Sequence, residues 1–112
     1  MNAIPSALAS EDWQLADGAA RPASLIVQQR KQSYAFPYFR LVYAEGDDAG
    51  VRIAFASHVV TVTGHGLDAL LEAIAAQRVV RLMQPTENEY KFSVRGAGQA
   101  GIKNISVEAT EE

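Results

Sequence analysis

The segment RGAGQAGIKNISV, Arg95–Val107, is where two very different folds part company. Gly96, Gly98 and Gly101 complete a G-x-G-x-x-G pattern. In a dinucleotide site such glycines follow a strand and open a helix. The backbone then approaches the pyrophosphate, and the helix N-terminus offers free N–H groups and positive dipole. Phe92–Arg95 supplies a strand-like approach, but Ile102, Asn104, Ile105 and Val107 continue as a β-type sequence. Only 11 residues follow Gly101, too few for a crossover helix, a second parallel strand and the acidic residue expected about 20 positions downstream. The segment therefore reads as a wide hairpin loop leading into a last strand, IKNISVEA, and no cofactor is expected.

The patterns on either side agree. Upstream, EYKFSVR alternates Tyr90, Phe92 and Val94 against Glu89, Lys91, Ser93 and Arg95, and VVRLMQ is a strand ended by Pro85. LDALLEAIAAQ sets Leu67, Leu70, Leu71 and Ile74 on one stripe of a helix, with Asp68 in the first turn where the macrodipole favours a carboxylate. HVVTVT, His58–Thr63, is rich in β-branched residues. VRIAFA alternates Val51, Ile53 and Phe55 against Arg52, Ala54 and Ala56, and YFRLVY alternates Phe39, Leu41 and Tyr43 against Tyr38, Arg40 and Val42. Between these last two, AEGDDAG has the residues of a tight connection, which makes the pair a hairpin.

Charges at alternate strand positions mean that one sheet face meets water, as in antiparallel sheets. The expected fold is α+β: a mainly antiparallel sheet of about six to seven strands covered by one amphipathic helix. Residues 1–24 are rich in Ala and poor in branched apolar side chains, and are expected to form a loosely ordered N-terminal arm. Within it SEDWQLAD could make a short helix capped by Ser10, with Trp13 anchoring the arm to the core. Residues 25–109 form the domain, and 110–112 a frayed tail.

Composition narrows the function classes. A single domain of 112 residues buries about 65% of its unfolded surface. The net charge of -3 argues against a phosphate-attracting field over the whole surface. Without cysteine there is no disulfide, thiolate metal site or thiol nucleophile. No basic residue precedes the apolar positions of MNAIPSALASEDW, and no apolar run approaches the ~20 residues that span a bilayer. A soluble cytoplasmic protein without membrane contact is expected.

Two constellations remain as candidate sites. The window RKQSYAFPYFRLVY holds five of the nine aromatics with Arg30, Lys31 and Arg40, and no acidic residue occurs between Gly18 and Ala44. Arg30, Lys31, Tyr34, Phe36, Tyr38 and Arg40 form a candidate interaction surface, for a second copy or a protein partner, or alternatively for single-stranded nucleic acid. Gly64, His65 and Gly66 lead from a strand into the helix and form a candidate anion site. His58, His65 and Asp68 are too few for a metal centre. Ser57 and His58 should point to opposite faces as strand neighbours. Acidic Glu45, Asp47 and Asp48 fit a turn rather than a calcium loop. With no catalytic constellation visible, a non-enzymatic module that self-associates is the leading expectation.

Overall fold

Strand periodicity and one helical stripe build most of the computed structural model, which describes residues 12–85 and 100–110. Its elements are β1 (Trp13–Leu15), β2 (Ser24–Gln28), β3 (Ser33–Pro37), a 3-10 turn (Tyr38–Arg40), β4 (Leu41–Gly46) and β5 (Gly50–Phe55). They are followed by β6 (His58–His65), α1 (Asp68–Ala75), β7 (Val79–Met83) and β8 (Gly101–Ala109). The fold is α+β with antiparallel sheets, as expected. The expected strand EYKFSVR, the capping residue Ser10 and the glycines Gly96 and Gly98 lie outside the described residues. Among the described residues, no helix is long and apolar enough to cross a membrane.

The described strands form two four-stranded sheets, β1-β7-β2-β3 and β4-β5-β6-β8, rather than one. The division falls where YFRLVY had suggested a continuous strand. Pro37 ends β3, and Tyr38–Arg40 makes a single 3-10 turn before Leu41 resumes extended backbone. Pairing among these strands is antiparallel except between β2 and β7, where Ile26–Gln28 run parallel to Arg81–Met83. The β4–β5 hairpin forms as read, closed by Asp47, whose Oδ1 accepts from the Ala49 and Gly50 N–H groups at 2.9 and 3.1 Å.

Between the sheets lies the core. Leu25, Val27 and Phe36 from one sheet meet Val51, Ile53, Phe55, Val60 and Val62 from the other, and the Phe36 and Phe55 rings stack at 4.8 Å. Leu67, Leu70, Ala73 and Ile74 are fully buried, so α1 closes one side of this core against β4 and β7. Where the dinucleotide pattern would need a helix, Gly101 instead begins β8, antiparallel to β6.

The short helix expected around Trp13 is corrected. Trp13–Leu15 is a strand that pairs antiparallel with β7, Trp13 facing Leu82. A local capping signal is worth about 1 kcal/mol, which burying an indole and completing a ladder outweigh. The expectation of an anchoring tryptophan holds, since Trp13 is buried in the core. Asp12, also buried, accepts the Ile102 N–H at 2.7 Å through Oδ2 and the Met83 N–H at 2.9 Å through its carbonyl. It thereby ties the first sheet to the second.

Candidate interaction surface

The basic-aromatic window divides into three environments. Arg30 and Lys31 occupy the exposed β2–β3 turn, closed by the Gln29 N–H donating to the Gln32 carbonyl at 2.8 Å. Tyr34 is half-buried, its ring stacked on Phe36 at 5.5 Å. Phe36 and Tyr38 belong to the core and present no surface to a partner. Arg40 is exposed, with its guanidinium 5.7 Å from the Phe39 ring centroid. The exposed aromatics that stacking on nucleic acid requires are therefore not Phe36 or Tyr38.

Large apolar side chains do stand in water nearby. Phe39 is 82% exposed, Val42 65% and Tyr43 45%. Their exposure follows from two backbone events. The 3-10 turn throws Phe39 outward while Tyr38 turns in. A register shift then sets Leu41 opposite Phe55 and Tyr43 opposite Ala54, with Val42 as an extra residue between them. A bulge of this kind lets two consecutive side chains share one side of the sheet. Strict alternation in YFRLVY put Phe39, Leu41 and Tyr43 together and missed this patch; the only signal in the sequence was Pro37, which cannot continue a ladder.

Among the described strands, β4 is the outermost of its sheet. β4 pairs with β5 on one side, and α1 packs alongside it. The start of that helix is held near the β4–β5 turn by the Leu67 N–H donating to the Asp48 carbonyl at 3.0 Å. The exposed side chains of this region end in opposite charges. Arg40 lies at one end and Glu45 at the other, Glu45 being 4.0 Å from Arg52 in an exposed ion pair.

No family model, curated protein or solved structure matches this chain. Its function must therefore be argued from its own surfaces.

At Gly64–Gly66 the glycines have a packing role. A Cβ on Gly64 would lie 2.1 Å from the Gly101 carbonyl oxygen, and one on Gly66 2.8 Å from Ala100. Gly66 also has φ +67°, a left-handed conformation that disfavours side chains. The strand-to-helix passage thus runs against the beginning of β8. His65 ends β6 and His58 begins it, so about 20 Å of extended chain separates them and they cannot share an ion.

Ser57 and His58 depart from the alternation rule because Ser57 belongs to the β5–β6 turn, not to a strand. Ser57 Oγ and His58 Nδ1 are 2.8 Å apart, within hydrogen-bond reach. The imidazole also lies against Tyr34 and Phe36, at 5.9 and 5.2 Å between ring centroids. The half-buried imidazole thus lies against the aromatic edge of the core.

Tyr38 illustrates how a residue chosen for recognition serves stability. Its hydroxyl donates to the Val79 carbonyl at 2.6 Å. Burial holds the phenol well above its ordinary ionisation range. In the unfolded chain the group ionises near pH 10, at about 1.4 kcal/mol per pH unit of difference. Its contribution is therefore complete below about pH 10 and is lost as pH rises beyond that toward the folded-state value. Tyr38→Phe is expected to cost about 1 kcal/mol at pH 7 and to flatten the alkaline fall in stability. Urea melts of both proteins from about pH 8 to about pH 11.5, spanning the unfolded-state ionisation, check this; parallel curves would contradict it.

Proposed function

We propose that this chain is a non-catalytic interaction module that self-associates through the patch formed by Phe39, Val42 and Tyr43. The observation that carries the reading is their joint exposure within five residues of sequence, on and just before a strand whose other apolar residues, Leu41 and Ala44, are half-buried. Exposed apolar side chains gathered in one place mark contact surfaces, whereas scattered ones do not. Aromatic side chains with an adjacent arginine are also the residue types that dominate binding energy at interfaces.

Wild-type protein is expected to sediment above 12.1 kDa as its concentration rises. The double variant Phe39→Ser/Val42→Lys should remain at 12.1 kDa, with its thermal midpoint little changed, because exposed substitutions usually shift stability by less than about 0.5 kcal/mol. A wild-type chain that stays monomeric across the whole concentration range overturns the proposal.

A further inference from the structure

We infer that the partner on this patch is a second copy of the chain, docked antiparallel about a two-fold axis passing between Val42 and Tyr43. The inference rests on the self-association proposed above and specifies its geometry. Along the strip the charges are ordered: cationic Arg40, apolar Val42 and Tyr43, anionic Glu45, the charged residues both exposed. A strip with unlike ends complements itself only when one copy is reversed. Reversal about that axis brings Arg40 of each copy to Glu45 of the other and Val42 to Tyr43, satisfying the requirement that a two-fold interface use the same patch twice. The parallel arrangement would oppose Arg40 to Arg40 and Glu45 to Glu45.

Two local features support this geometry. The Arg40 guanidinium already rests beside the exposed Phe39 ring, which limits the freedom it would lose on pairing. Glu45 meets Arg52 only at 4.0 Å, in an exposed pair, and a carboxylate with two oxygens can take a second cation. The contact is made between these exposed side chains and requires no continuous ladder across the axis.

The test exchanges charges. Arg40→Glu alone places like charges at both ends of the homodimer, and so does Glu45→Arg. Each variant should weaken its own self-association about 10-fold. Mixed in equal amounts, they should form a heterodimer with the wild-type affinity restored, because one variant then presents two anionic ends and the other two cationic ends. Circular dichroism and thermal midpoints confirm that both variants are folded. Sedimentation equilibrium on each protein and on the mixture reads the result. If wild type dimerises but the single variants match it, or the mixture stays as weak as its components, the antiparallel geometry is overturned while self-association stands. A monomeric wild type overturns both.

Discussion

Trp13→Ala is expected to destabilise the protein by about 3–5 kcal/mol, the usual cost of truncating a buried aromatic. Domains of this size have about 5–15 kcal/mol to lose, so the variant should melt on the order of 15 °C lower. The site has little means of collapsing around the vacated volume. Trp13 is 2% exposed and stands opposite Leu82 on β7, where the ladder continues from Gln14 to Arg81. On one side Asp12 joins the strand to Met83 and Ile102; on the other Arg78 donates to the Ala16 and Gly18 carbonyls at 2.6 and 2.7 Å. These bonds fix the backbone that would have to move. Thermal melts followed by far-ultraviolet circular dichroism give the answer without relying on the lost fluorophore. A loss under about 1 kcal/mol, the scale of an exposed substitution or a helix cap, would mean that the segment around Trp13 is the loose arm its composition suggested.

Why that strand escaped the sequence reading, when others did not, is a matter of scale. In VRIAFA and HVVTVT the large buried side chains recur every second residue, and in LDALLEAIA every third or fourth; each element writes its own periodicity. Val51, Ile53, Phe55, Leu67, Leu70 and Ile74 are all buried accordingly. β1 has three residues, too few to show a period, and its partner lies more than 60 positions away. The partition into two sheets was invisible for the same reason: alternation says which face is buried, not which strand is adjacent. The parallel pairing of β2 with β7 links residues about 55 positions apart and leaves no mark on either strand's composition. The patch was hidden differently. Phe39, Val42 and Tyr43 have the composition of core residues, and only the 3-10 turn and the bulge send them outward.

Gly64→Ala is expected to be among the most damaging small substitutions, at about 3 kcal/mol, the upper end of the range for overpacking. The added methyl carbon would stand 2.1 Å from the Gly101 carbonyl oxygen and 3.0 Å from the Ile102 Cα. Both are backbone atoms, which no side-chain rotation can clear. β8 is in turn held by its long pairing with β6 and by Asp12 on the Ile102 N–H, so relief requires displacing a strand. Gly64 has no left-handed φ, and its substitution isolates the effect of space; Gly66→Ala adds backbone strain to a 2.8 Å approach to Ala100. The sequence suggested a different reason for the same residues, an anion held at the start of α1, and the two accounts diverge under one measurement. If the glycines serve packing, Gly64→Ala lowers the thermal midpoint on the order of 10 °C, equally with and without millimolar phosphate. If they serve an anion, phosphate raises the wild-type midpoint by mass action, and the variant loses that increment while its unliganded stability stays near wild type. Close approach of two backbones with no room for a Cβ makes the first outcome the expected one.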